Sequence, residues 1–103
     1  MSGKRRVVVT GLGVISPVGN NVPSAWAALL AGKSGVGPIT RFDASALHCR
    51  IAGEVKGFDV TSVMSAKEAR RLDTFIHYGV AAATEALRDC GLDVTDANRD
   101  RIG

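Results

Sequence analysis

The chain is poor in cysteine, in aromatic residues and in long apolar runs, and each shortage narrows what it can be. Its 103 residues hold two cysteines, Cys49 and Cys90. They stand alone and far apart, with neither metal-ligand spacing nor a disulfide framework, which fits free thiols in a reducing, cytoplasmic setting. The five aromatics, Trp26, Phe42, Phe58, Phe75 and Tyr78, are not interleaved with arginine or lysine. A base-stacking platform would need that interleaving, so no nucleic-acid partner is expected. No run of eighteen apolar residues exists, so no membrane span is expected. A net charge of +3 is too mild to mark a polyanion-binding surface by itself. With 46% hydrophobic and 22% charged residues the composition is that of an ordinary folded protein rather than a disordered one.

What is present begins at the amino terminus. Lys4-Arg5-Arg6 runs into a β-branched block, Val7-Val8-Val9-Thr10, and then into a turn, Gly11-Leu12-Gly13. Valine repeated without polar alternation predicts a strand buried on both faces, inside a covered sheet. The same stretch mimics a short secretory signal, but Gly11, Gly13 and Pro17 interrupt the apolar run, so a solvated basic end before a strand is the better reading.

Further on, Pro, Gly and Asn make Val14–Asn21 a loop. Asn21 and Pro23 predict a helix start, and Gly32 its left-handed end, with Ala25–Ala31 between. Ser34–Pro38 reads as loop. Arg50–Lys56 alternates and predicts a half-exposed strand, ended by Gly57 and Asp59. Ser65-x-x-Glu68 is a capping box opening a short helix over Ala66–Leu72. A second helix runs from Asp73 or Thr74 to Cys90 and stops at Gly91. Ile76, Val80, Ala83, Leu87 and Cys90 form one apolar stripe on it. Leu72, Phe75, Gly79, Ala82 and Ala86 form its neighbour, and their small residues permit another backbone to come close. Asp93–Asp100 is polar, a loop with one helical turn. Two helices and two or three strands do not cover every apolar face, so the chain reads as the front part of a larger α/β protein.

Several apparent motifs fail on spacing. Gly11-x-Gly13-x-x-Ser16 resembles a dinucleotide fingerprint, but Ser16 replaces the third glycine and Pro17 follows where a helix should be under way. Gly32-Lys33-Ser34 resembles a phosphate-binding loop, but Ala27 stands where its first glycine belongs and a helix precedes it where a strand should. His48 and Cys49 are adjacent on extended chain, point to opposite faces, and cannot readily form a nucleophile–base pair. Cys90 closes a core stripe, and His77 lies off both stripes as a surface or interface residue. Lys67, Arg70 and Arg71 differ from these. Their i, i+3, i+4 spacing puts three like charges on one helix face. Such a face is either simply solvated or matched to an acidic partner.

The ordered series Arg5–Gly13, Ser16-Pro17-Val18-Gly19-Asn20, Trp26, Leu29–Gly35, Arg41-Phe42-Asp43, Ala52-Gly53, Glu68–Asp73, Phe75-Ile76 and Arg101-Ile102-Gly103 resembles the amino terminus of the β-ketoacyl-acyl-carrier-protein synthases, most of all the elongating synthases of bacterial fatty-acid synthesis. The resemblance covers essentially the whole chain. It implies residues 1–103 of a thiolase-like α/β fold that is incomplete without a longer polypeptide. It also implies a homodimeric, cytoplasmic acyltransferase that joins malonyl-carrier-protein to an acyl group held on a cysteine. Two histidines stabilise the developing oxyanion in that family. Those residues lie beyond Gly103, and neither Cys49 nor Cys90 stands in the family's Thr-Ala-Cys context. No catalytic residue is therefore expected in this chain, and no cofactor or metal. Lys67, Arg70 and Arg71 match the family's docking positions for acyl carrier protein. Ala66 stands where many relatives carry another basic residue.

Overall fold

A computed structural model describes residues 3–103, and within them the order of elements is helix, strand, strand, helix, helix. Helix α1 spans Val22–Leu30, strand β1 Val36–Pro38, strand β2 Ile51–Gly53, helix α2 Ala66–Arg71 and helix α3 Thr74–Cys90. Short 3-10 turns at Val60–Ser62 and Arg99–Arg101 complete the set.

Local chemistry accounts for the helix ends. At α1 the Asn21 side chain accepts from the Ser24 amide at 2.9 Å, and Pro23 sits in the first turn. Gly32 takes the left-handed conformation, φ 67°. The Gly32 amide then reaches Leu29 O and the Lys33 amide reaches Ala28 O, the paired bonds of a Schellman ending. Helix α3 also stops at a left-handed glycine, Gly91, φ 67°. At α2 the Ser65 hydroxyl accepts from the Glu68 amide at 3.2 Å. Among the described residues no bond returns from the Glu68 carboxylate to Ser65, so half of the expected capping box forms.

The second strand is shorter than the Arg50–Lys56 expectation, and its partner corrects the loop reading of Ser34–Pro38. Val36 pairs with Gly53, Gly37 with Ala52 and Pro38 with Ile51, antiparallel. Pro38 is tolerated because a two-stranded ribbon has only edge strands. The alternation holds, yet Ile51 faces solvent while Ala52 is half-buried.

The larger departure is Val7–Thr10. These residues join no ladder, and Val7, Val8 and Val9 are 93%, 70% and 78% exposed. A buried strand needs neighbours on both sides, and β1 and β2 pair only with each other. Buried apolar residues among those described are Ala25, Ala44 and Ala81 alone. The chain exposes 8339 Å², against about 5,500 Å² for a compact protein of its mass. Its radius of gyration is 17.9 Å, against about 13 Å for a compact domain of this length. These are the dimensions of a portion of a larger core.

The small-residue face of α3 does admit another backbone. Gly11 and Gly13 lie on it so closely that a Cβ on Gly13 would meet the Ala82 carbonyl, and one on Gly11 the Ala86 carbonyl and, at 2.7 Å, the Cys90 nitrogen. Val80 and Leu87 on the Ile76–Cys90 stripe are exposed, as is Phe75 on its neighbour.

Candidate functional site

Helix α2 presents Lys67, Arg70 and Arg71 together, all three exposed. Serine capping and the helix-favouring run Ala-Lys-Glu-Ala-Arg-Arg explain why six residues hold a helix here. Arg70 Nε donates to Ala66 O, one turn back, at 3.3 Å. Among the described residues the one ion pair joins Arg99 to Asp96, so no carboxylate of this chain neutralises the α2 cations. The spacing expected from sequence thus yields one basic, solvent-facing surface. Ala69, about 200° round from Lys67 at 100° per residue, is the half-buried member of the helix.

Beneath this surface lies a polar framework. The imidazole Nε2 of His77, on α3, is 2.9 Å from the Ala69 carbonyl. That oxygen can only accept, so Nε2 carries the proton. Next to it the Arg41 guanidinium donates to Tyr78 Oη at 2.9 Å and to Val55 O at 3.3 Å. The Tyr78 bond holds Arg41 above its ordinary pKa. Phe58 meets the Tyr78 ring edge-on, with centroids 5.2 Å apart. Glu54 accepts from the Thr40 hydroxyl at 2.8 Å and from the Thr40 and Arg41 amides. The Thr40 hydroxyl contributes most to holding that carboxyl below its usual range.

A second framework joins the glycine turn to α3. Asp89 accepts from the Leu12 amide at 3.0 Å. Glu85 accepts from the Val14 amide at 3.0 Å and from the Val22 amide at 2.8 Å. One carboxylate therefore serves both the loop and the first residue of α1, where the helix dipole favours a negative charge. Lys56 Nζ donates to the carbonyls of Gly35 and Glu54, both at 2.9 Å, and of Pro17 at 3.4 Å. Asn20 Nδ2 donates to Lys56 O at 2.7 Å, while its Oδ1 is buried without a partner among the described residues.

Sequence reasoning missed Glu85, Asp89 and the placement of His77. A signal existed for the first two: acidic residues at 85 and 89 continue the helical spacing of Ala81 and Ala82 into a face otherwise made of small residues. None of these groups forms a nucleophilic pair. The Cys49 thiol is exposed and sits 3.5 Å from Ile51 O; the Cys90 thiol is 3.2 Å from Leu87 O, within its own helix. Among the described residues no His, Cys, Asp and Glu group of three or more converges on a metal position, and no helix is long and apolar enough to cross a membrane.

Comparison with known proteins places this geometry. Residues 4–103 match the family described as "Beta-ketoacyl synthase, N-terminal domain". The chain is 57% identical over 100 residues to the 3-oxoacyl-(acyl-carrier-protein) synthase 2 of Vibrio cholerae, covering 97% of this chain and 24% of that protein. It is 51% identical to the enzyme of the same name from Synechocystis sp., with the same coverage. It is 45% identical over 103 residues to that of Staphylococcus aureus, covering 100% of this chain and 25% of that one. Among solved structures it superposes on "The ishigamide ketosynthase/chain length factor" with a TM-score of 0.79 and 41% identity, over 88% of this chain and 23% of that one. The chain thus spans about a quarter of the length of the relatives it matches, and the thiolase-like ketosynthase fold expected from the sequence is the fold it shares. The chain belongs to the β-ketoacyl synthase family, within the amino-terminal domain.

Proposed function

We propose that residues 1–103 are the amino-terminal portion of the ketosynthase domain of a 3-oxoacyl-acyl-carrier-protein synthase, a cytoplasmic, homodimeric enzyme of fatty-acid elongation. Its reaction is decarboxylative condensation. An acyl group leaves its thioester for a cysteine. Malonyl-carrier-protein loses carbon dioxide, and the carbanion attacks the acyl carbon, giving a β-ketoacyl thioester and the free thiol. The chain supplies none of the reacting groups; Cys49 and Cys90 are structural, and the segment alone turns over no substrate.

Its own contribution is the docking of acyl carrier protein, an acidic partner, on Lys67, Arg70 and Arg71. The observation that carries this reading is three exposed cations on one face of α2, without a counter-ion among the described residues. Exposed charges contribute little to folding, about 0.2–1 kcal/mol for a pair, but they steer association strongly at low salt. In the full-length protein, the double variant Arg70→Glu/Arg71→Glu is expected to raise KM for carrier-protein substrates. The defect should shrink with added salt, and acylation by a small thioester should be unchanged. Equal loss with both substrates would make the patch structural. A ketosynthase of another pathway is the second reading, favoured by the 41% identity to the ishigamide ketosynthase/chain length factor. The product formed from malonyl- and acyl-carrier-protein distinguishes the two.

A further inference from the structure

Helix α2 is six residues long, buries none of its side chains fully and is capped at its start by one serine. A helix of that length has little stability of its own. Something must fix where its three cations point. Among the described residues, the one hydrogen bond between α2 and α3 is the contact of His77 Nε2 with the Ala69 carbonyl, at 2.9 Å and part-buried.

That oxygen belongs to the last turn of α2, where carbonyls have no helical amide to bind. It also accepts from the Leu72 amide, at a longer 3.3 Å. His77 itself is anchored in the first turn of α3, its own amide bonded to Asp73 O, and its ring is half-buried. The imidazole thus holds the C-terminal end of α2, the turn that carries Arg70 and Arg71.

We infer that His77 is a positioning residue for carrier-protein docking: its Nε2–H holds α2 against α3 by the Ala69 carbonyl and so sets the direction of the basic face. The inference rests on the docking function proposed for that face. A ring nitrogen facing a carbonyl can only donate, and Nε2–H supplies that donor. Arg41, whose guanidinium lines the same hollow, supplies no acceptor that would compete for the proton.

The chemistry dictates the variants. A glutamine amide nitrogen reaches the place of imidazole Nε2, whereas an asparagine amide stops near Nδ1. In the full-length protein, His77→Leu and His77→Asn should each raise KM for malonyl-carrier-protein about three- to tenfold, the loss expected for one part-buried hydrogen bond. His77→Gln should restore it to within about twofold, and kcat and KM for a small malonyl thioester should not move. Hydrogen exchange at the Ala69 and Leu72 amides should quicken in the leucine and asparagine variants and slow again with glutamine. Wild-type KM and wild-type exchange in His77→Asn would overturn the inference, as would a glutamine variant no better than leucine. Should the leucine variant not fold, asparagine against glutamine decides. The charge-reversed triple variant Lys67→Glu/Arg70→Glu/Arg71→Glu separates the two ideas. If it leaves the carrier-protein KM unchanged, the docking reading has failed, and the exchange rates alone judge whether His77 holds the helix. If it raises KM while His77→Asn does not, only the histidine inference falls.

Discussion

Val7–Thr10 and the turn that follows it, Gly11–Asn21, are neighbours in sequence and opposites in structure. The valines are the more hydrophobic and remain the more exposed. The turn, rich in glycine, proline and asparagine, is half-buried along nearly its whole length. The difference lies in where each segment finds its partner. The turn is held by Ala82, Ala86, Glu85 and Asp89, all on α3. The valines require ladder partners on both sides, and the described residues hold none. Apolar character creates a demand for burial; the presence of a matching surface decides whether the demand is met.

Gly13→Ala tests the contrast most severely. Its Cβ would meet the Ala82 carbonyl, backbone against backbone, and neither can yield. We expect a loss of about 3 kcal/mol in the full-length protein, measured by denaturant unfolding; an unchanged midpoint would mean that turn and helix are not packed as described. Glu85→Ala comes next, leaving the Val14 and Val22 amides without their acceptor. It should cost about 2 kcal/mol, and the same measurement would show it. Val8→Ala sharpens the comparison in two contexts. It should cost about 1–2 kcal/mol where the rest of the protein covers the strand, and leave the thermal profile of the 103-residue chain unaltered. That chain alone should show no cooperative transition; a sharp one would mean that the exposed valines need no cover.

Gly32→Ala should cost about 1 kcal/mol, because alanine resists the left-handed conformation that closes α1. The smallest effect is in acid. Thr40 holds the Glu54 carboxyl below its usual range, Ser45 does so for Asp43 and Thr61 for Asp59. A depressed carboxyl contributes its full stability above the ordinary carboxylate pKa and loses it as the pH falls through the lowered value. Unfolding midpoints of the full-length protein should therefore decline below about pH 4, and Thr40→Val should weaken that decline.

The helices could be read from the sequence because their signals are local. Asn21, Ser65, Gly32 and Gly91 act within a few residues of themselves and stand where the caps form. Strand β1 was illegible, since Val36-Gly37-Pro38 becomes a strand only by meeting Ile51–Gly53. Glu85 was half legible: its helical spacing marks the face it stands on, but its partners are amides 63 and 71 positions away, which that spacing does not name. The spacing of Lys67, Arg70 and Arg71 was legible as a face. The histidine beneath it was not, because a bond to a carbonyl leaves no mark on the sequence of the residue that supplies it.

Lys56 has a meaning in the language of polymers. Its ammonium joins Pro17, Gly35 and the nearby Glu54 at a single point, closing loops of 39 and 21 residues with one side chain. It is a trivalent junction, a reversible knot of degree three in an otherwise linear strand of chain. Closure entropy grows only with the logarithm of loop length, so one vertex shared by two loops constrains far more chain than its bond energy suggests. An arginine there would carry the same charge, but its planar fork could not converge on three carbonyls from three directions. The network would lose a node while keeping its electrostatics.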